Sequence, residues 1–515
     1  MGGLRLAEER KSLLYKLEPV IKRWPAVTKP EGHVHFRTKL LWTLTALVIY
    51  FFLANITIYG LGPDTLDAFS QFRAILAGAN GSLVHLGIGP IVTGSIIMQL
   101  FAGAKIINLD LTKDEDKSIY QGTQKVLVIL MIFVESIPQV FGFLPPDPVL
   151  SEQVGLGWAR SVIIAQLAVG SYVVFLMDEV VSKWGIGSGV SLFIVAGVAQ
   201  SLFTGFFNWL PAVPREAYSI NNPPAGFLPK TIYLLNELTT PQLTQGGFER
   251  VFFAPPNPAI ALISSVLVFL LVVYVQSSRV ELPLSHGRVR GARGRYPIKL
   301  LYASNIPVIL AGALLANVNL LGLLFWSGPL SRMPFLGHKE WVGGYLPGTT
   351  TPSSGFAYYF SIVQGVPDWL LPFLGSQYGI PYRENWQIIV HVLVYGIFMI
   401  GGSILFAIFW IETTNMGPEQ VANQIQKSGM QIPGFRRDPR VTARILERYI
   451  PVVTVIGGAA VGALAVFADL LGTLGNASGT GLLLGVGILQ QMYEQIAKEQ
   501  AMEMHPVLRG FFGET

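Results

Sequence analysis

The feature that most limits how this chain can fold is a series of long stretches without Asp, Glu, Lys or Arg. They run 40–63, 74–104, 161–177, 184–214, 251–278, 300–331, 386–411, 449–468 and 470–493, and one more, 126–143, is broken only by Glu135. A helix needs about 20 apolar residues to cross roughly 30 Å of hydrocarbon. In lipid every backbone polar group must be satisfied within the protein, so apolar stretches of this length read as helices. The count is ten. With 13% charged residues, the chain has about half the usual charge of a soluble domain, and its wealth of Leu, Ile, Val and Phe excludes disorder. The chain has no cysteine, which excludes disulfides, thiolate metal sites and a cysteine nucleophile. The expected fold is all-α, with ten transmembrane helices.

The basic residues set an orientation. An even number of spans puts both termini on one side. Of 36 Lys and Arg residues, 28 lie in segments on that side and 8 on the other. The positive-inside rule then makes both termini cytoplasmic. Ten spans divide into two five-helix halves, the second entering from the opposite face as an inverted repeat. The expected organisation is a cytoplasmic segment 1–39, a first half 40–207, an external loop 208–257, a second half 258–495 containing a long external loop 323–385, and a tail 496–515. In the leader, Leu13, Leu14, Leu17, Val20 and Ile21 recur at helical spacing between Lys11, Lys16, Lys22 and Arg23, the pattern of an amphipathic surface helix. The external loops are rich in Pro, Gly and aromatic residues, and the sequence assigns them no role.

Several features stand out against this background. In segment 64–76, Leu66, Phe69, Phe72 and Leu76 recur at helical spacing after a candidate cap at Asp64 or Thr65. At 1.5 Å per residue the segment reaches only about 20 Å. It is either a half-helix folded back toward the membrane or a surface helix in a loop. Ionisable residues inside spans are few, chiefly Glu135 and His391, with Asp178 near a span end. Glu135 is costly in hydrocarbon and is expected to face the protein interior. The run Gly89–Ser95 resembles a phosphate loop but has no lysine and lies inside a span. No catalytic constellation and no metal-ligand spacing appears, so an enzyme is not expected, and no cofactor. Arg288, Arg290, Arg293 and Arg295 share a glycine-rich cytoplasmic loop, and Arg436 and Arg437 occupy the next. Arginines so placed suit phosphate contact, although the positive-inside rule alone would also make these loops basic.

Five runs together carry a resemblance. They are Leu86-Gly87-Ile88-Gly89-Pro90-Ile91-Val92-Thr93, Asp178-Glu179-Val180-Val181-Ser182-Lys183-Trp184-Gly185-Ile186-Gly187-Ser188-Gly189, Tyr296-Pro297-Ile298-Lys299, Ser304-Asn305-Ile306-Pro307-Val308-Ile309-Leu310 and Gln491-Met492-Tyr493-Glu494-Gln495. In this order and wording the chain resembles the SecY family, the large subunit of the protein-conducting translocon, in its archaeal and eukaryotic branch.

The resemblance implies a clamshell of two halves around an hourglass pore. Its waist would be closed by an aliphatic ring of Ile88, Val92, Val190, Ile194, Ile309 and Leu484. Such a constriction sheds water and blocks ions by dewetting, and offers no charge to a passing chain. The segment with Asp64, Leu66, Phe69, Phe72 and Leu76 would be the plug. Thr93, Glu135 and Asn305 would form the polar cluster of a lateral gate. The arginines of the two cytoplasmic loops would dock a ribosome through its RNA. Implied partners are a SecE-type subunit, a small single-span (beta-type) subunit, the ribosome, nascent polypeptides with their signal sequences, and membrane lipid. The implied location is an archaeal cell membrane. The competing reading, a secondary transporter of small solutes, is weakened by the scarcity of intramembrane carboxylates.

Overall fold

The computed structural model describes residues 14–15, 18–23, 25, 27–32, 34–63, 65–104, 106–107, 109, 113–213, 216–242, 246–286, 293–299, 305–346, 349–374, 383–414, 416–427, 430–431, 439–475 and 477–504. Ten helices match the ten apolar stretches: α1 Phe36–Asn55, α2 Gly89–Gly103, α3 Asp114–Gly142, α4 Leu156–Trp184, α5 Gly189–Phe207, α6 Ala259–Ser277, α7 Ile306–Trp326, α8 Asn385–Thr413, α9 Pro439–Leu471 and α10 Gly479–Met504. Eight are long and apolar enough to cross a membrane by length and composition; the exceptions are α2 and α10. Helix α2 has 15 residues, about 22 Å at 1.5 Å each. Helix α10 ends in a polar run that continues as helix into the expected tail.

Small residues decide the closest helix contacts. Gly94 of α2 sits against the Val128 backbone of α3, and Gly458 and Gly462 of α9 lie against Ser403, Ile404 and Ile400 of α8. Without a hydrophobic drive between helices in lipid, such close approach is what gives packing energy. Helix α7 is the most enclosed, with 72% of its apolar window buried against 17% for α1. It packs on α2 and α8, while α5 packs on α10. The two sets of five helices therefore touch along two lines, α2 with α7 and α8 in front, α5 with α10 behind.

The face that holds both chain termini is more ordered than a glycine-rich loop suggests. Strands β1 Arg279–His286 and β2 Arg293–Lys299 form an antiparallel hairpin, and β5 Met430–Gln431 from the α8–α9 connection joins its tip. Strand pairing follows the alternation of Val280, Leu282 and Leu284 with their neighbours. Of the expected phosphate-contacting residues, Arg288, Arg290, Arg436 and Arg437 lie outside the described residues, and only the backbones of Arg293 and Arg295 are described. The leader is helical over Glu18–Arg23, where Ile21 packs on Gly122 of α3. Leu13 and Leu17 lie outside the described residues. Residues after this helix are strapped to α4: Glu179 accepts from the Val27 amide at 2.9 Å and pairs with Lys125 and Lys183, and Trp184 Nε1 donates to the Thr28 carbonyl at 2.9 Å.

Outside the membrane, a second small sheet, β3 Gly344–Tyr345 with β4 Pro352–Ser354, belongs to the long loop before α8. In the other long loop the buried Lys230 donates to the carbonyls of Ala254 at 2.6 Å and Pro256 at 2.9 Å. Burial pushes its ammonium down to about 8, well below the ordinary lysine value.

Candidate functional site

Residues 57–88 explain why α2 is short. From the end of α1 the chain is tied to α3 by Gly62 N on the Pro145 carbonyl at 2.8 Å and Leu66 N on the Phe143 carbonyl at 3.0 Å. It then turns inward and returns to α2 through a compact irregular segment. That backbone satisfies itself: Ala79 N donates to Val84 O, Gly87 N to Val84 O, and Ile88 N to Leu76 O at 2.8 Å. Irregular backbone at membrane depth requires such internal partners. Gly87, with φ of +56°, passes so close to the Leu76 carbonyl that no Cβ fits.

The half-helix expected over Asp64–Leu76 is helical only at Arg73–Leu76; residues 68–72 are tight turns, and Asp64 lies outside the described residues. The cause is Asp67. Its carboxylate accepts from the Phe69 amide at 3.1 Å and from Arg73 Nε at 2.9 Å, and the backbone bonds Ser70 N to Asp67 O and Phe72 N to Phe69 O span three residues. A local side-chain acceptor of this kind competes with the four-residue helical ladder. Phe69, Phe72 and Leu76 are buried in the central apolar cluster, and Leu66 packs at its edge. Arg73 also donates to the His85 carbonyl, and His85 Nε2 lies 3.0 Å from Gln139 Oε1 of α3. Tyr50 of α1 stacks on Phe193 at 5.0 Å and donates to the Ala77 carbonyl at 2.8 Å.

The six aliphatic residues come from four helices, α2 with its cap, α5, α7 and α10. Ile88, Val92, Ile194, Ile309 and Leu484 are buried in one cluster with the 69–77 segment, and Val190 packs against it, half-buried. Ile88 caps α2, and its carbonyl accepts from Val92 N at 3.0 Å, so these two share a face. Three glycines relate the ring to the folded-back segment. A Cβ at Gly197 of α5 would stand 3.4 Å from the Ala74 carbonyl oxygen, one at Gly312 of α7 3.9 Å from Ile75 Cδ1, and one at Gly481 of α10 3.6 Å from Ala74 Cβ. Each glycine is three residues from a ring residue: Ile194, Ile309 and Leu484. Helices α5 and α7 run away from the face that holds the chain termini and α10 runs toward it, so all three glycines lie on the far side of Ile194, Ile309 and Leu484 from that face, the outer side in the expected orientation, about 4.5 Å away along the axis. The 73–76 turn thus sits one layer outside the aliphatic layer.

A polar cluster joins α2, α3 and α7. Thr93 Oγ1 lies 2.8 Å from Glu135 Oε1 and accepts from Asn317 Nδ2 at 3.2 Å. Glu135 is 3% exposed. Asn305, expected here, is elsewhere: it caps the start of α7, its amide against Gly487 of α10 and near Gln276. Twelve residues separate it from Asn317, about 18 Å along a helix, so the two cannot reach the same hydroxyl. The polar pair Asn317 and Asn319 inside an apolar run was the signal available in the sequence.

Other functional-looking residues are structural. Asp469, 1% exposed, accepts from the Thr480 amide at 2.8 Å and from the Thr480 and Tyr395 hydroxyls, tying α9, α10 and α8. His391 is buried within 3.0 Å of the Ser361 carbonyl. Asp178 accepts from Val190 N at 2.8 Å and holds the start of α5 against α4. Outside the 66–76 segment lies a cavity of about 520 Å³, bounded by Ser70 and Gln71, by Asn257, and by Thr349, Asp368 and Arg383 from the long loops. Ser70 Oγ is 3.2 Å from Thr350 Oγ1. Residues of both long loops therefore line this cavity together with Ser70 and Gln71.

Comparison with known proteins agrees with this geometry. The SecY family model matches residues 82–493, and that of the plug domain of Sec61p matches residues 48–81. The protein translocase subunit SecY of Haloferax volcanii is 49% identical over 502 residues, covering 96% of this chain and 98% of that protein. The same subunit of Archaeoglobus fulgidus is 46% identical, covering 98% and 99%. A protein-conducting channel of known structure superposes with a TM-score of 0.75 at 38% identity, covering 95% of this chain and 98% of that one. Sec61 in the canine ribosome-channel complex from the endoplasmic reticulum gives 0.72 at 38%, with the same coverage.

Proposed function

This chain belongs to the SecY family, and on that premise we propose how its residues divide the work of a protein-conducting channel. The protein is a multi-pass membrane subunit that forms the pore of a translocation channel and is not an enzyme. The solute-transporter alternative is set aside. In our reading Ile88, Val92, Val190, Ile194, Ile309 and Leu484 close the pore, and residues 66–76 plug it from outside. The observation that carries this is the layering: Gly197, Gly312 and Gly481 each receive the plug three residues outward of a ring residue. An aliphatic waist excludes ions by dewetting, yet has no charge or hydrogen-bonding group to hold a passing chain.

The lateral gate in this reading is Thr93, Glu135 and Asn317, with Asn305 outside it. Hydrogen bonds between membrane helices contribute about 0.6 kcal/mol each, so an entering apolar segment of about 20 residues, which gains more than this by moving into lipid, parts the seam. Polar segments continue through the pore. We further propose that the termini are cytoplasmic and the membrane archaeal, with a SecE-type and a beta-type subunit alongside. The ribosome, with which the similar canine channel forms a complex, docks in this reading on the arginine hairpin and on the Arg436–Arg437 loop. In this reading the translating ribosome supplies the drive.

The direct test attaches a photo-crosslinker at Val92→Cys, possible because the chain has no cysteine, and presents a ribosome carrying a stalled secretory chain. The stalled chain should crosslink at Val92 and not at the lipid-exposed Leu267; absence of a Val92 adduct sinks the ring assignment. Reversing Arg288, Arg290, Arg293 and Arg295 to Glu should weaken ribosome binding and flatten its salt dependence; unchanged binding at every salt concentration would confine those charges to setting topology.

A further inference from the structure

The loop that follows α7 has features that the channel reading leaves unused. It leaves the helix at Trp326 and comes back to it: His338 N donates to the Phe325 carbonyl at 2.9 Å, His338 Nδ1 lies 3.0 Å from the Trp326 carbonyl, and the His338 and Trp326 rings stack at 4.3 Å. Residue 338 is therefore held level with the last turn of a membrane span. Helix α7 has 21 residues, about 31 Å, close to the full hydrocarbon thickness. Its end lies at the membrane–water boundary, and the loop pinned to that end is kept at the same depth.

At that depth the loop exposes large apolar side chains. Phe335 is 86% exposed, Trp341 61% and Met333 48%. The exposed Arg332 and Lys339 flank Phe335, and the first acidic residue after them is Glu340. Beside the loop, the outward faces of two spans carry exposed Leu321 on α7 and Ile137 and Phe141 on α3. The loop touches that band directly, since a Cβ at Gly142 of α3 would stand 3.4 Å from Gly328 Cα and 3.5 Å from Pro329 Cδ. The apolar tip thus continues a surface that already faces lipid. Aromatic rings with cationic neighbours are the side chains that settle at the headgroup level.

We propose that residues 329–341 form an anchor in the outer leaflet, with Met333, Phe335 and Trp341 immersed among phospholipid hydrocarbon chains and Arg332 and Lys339 at the phosphates. The anchor lies against the outer ends of both α3 and α7, so it ties those two ends to the lipid surface. The inference requires only that α3 and α7 cross the membrane, and stands apart from the ring and gate assignments.

The membrane-extracted complex carrying Phe335→Cys is labelled with a nitroxide and reconstituted in vesicles of mixed phosphatidylcholine and phosphatidylglycerol. Oxygen, which concentrates in lipid, should relax the label severalfold more, relative to a water-soluble nickel chelate, than it does at Glu237→Cys in the external loop. The label should report immersion of about 5–10 Å, between Glu237 and the mid-span reference Leu267→Cys. A nickel-dominated label at 335, matching Glu237, overturns the proposal, because the loop then stands in water. Protection from both reagents also overturns it, because a protein partner then covers the tip.

Discussion

Val92 and Thr93 are neighbours on α2 and face opposite demands. Val92 is buried in the central apolar cluster, while Thr93, turned about 100° away, holds Glu135 of α3 and Asn317 of α7 by single hydrogen bonds. The first contact is non-directional and replaceable by any aliphatic residue that fits. The second depends on three specific side chains and little else. An axial seal must be tight to ions and blind to the sequence that passes. A lateral seam must yield to one class of segment, the apolar helix, so weak directional bonds suit it. The two properties stand one residue apart because a helix gives each residue its own face.

The largest effect comes from spoiling the apolar side of that contrast. Replacing Ile88, Val92 and Ile309 together by Ser should hydrate the waist and raise resting ion conductance in planar bilayers by about tenfold or more, since dewetting needs an unbroken apolar lining. Conductance equal to the parent would mean the barrier lies elsewhere. A smaller effect follows from the layer above. Gly197→Leu puts a side chain where a Cβ already stands 3.4 Å from Ala74 O and Ala77 Cα. The plug must lift, and leak should rise by a few-fold with the ring intact. Gly401→Leu on α8, where a Cβ meets nothing within 4 Å, is the control and should leave conductance unchanged.

The spans were legible in the sequence because charge-free length is a strong signal. The exception is instructive. The stretch 74–104 reads as one span, yet it holds the end of the short Arg73–Leu76 turn, an irregular segment, and then helix only from Gly89 to Gly103. Apolar composition cannot separate a crossing helix from apolar chain buried in protein, and residues 74–88 are the latter. The plug's short helix was hidden for a different reason, since Leu66, Phe69, Phe72 and Leu76 have helical spacing while Asp67 closes a turn through its own carboxylate. Three-dimensional partners such as Tyr50 on the Ala77 carbonyl, His85 on Gln139, and Asp469 between Thr480 and Tyr395 link residues far apart in sequence, and no local pattern announces them. The cavity lined by both long loops and by Ser70 and Gln71 is of the same kind, because it exists only where these distant segments meet.

The gate gives the finest test, because the resemblance and the geometry name different asparagines. If the seam is held by Thr93, Glu135 and Asn317, then Asn317→Leu removes one interhelical bond of about 0.6 kcal/mol. That is a roughly threefold shift toward the open seam, read as a lower hydrophobicity threshold for inserting a test segment of graded Leu content. Asn305→Leu, at the start of α7 beside Gly487, should leave the threshold where it was while disturbing the local contact of residue 305 with Gly487 and Gln276, seen as a lower Tm. Thr93→Val should lower the threshold further than Asn317→Leu, because the hydroxyl serves both partners and its loss strands the buried Glu135 carboxyl. A threshold that moves with Asn305 and not with Asn317 would return the seam to the cytoplasmic end of α7. The contrast between Val92 and Thr93 would then reflect packing alone.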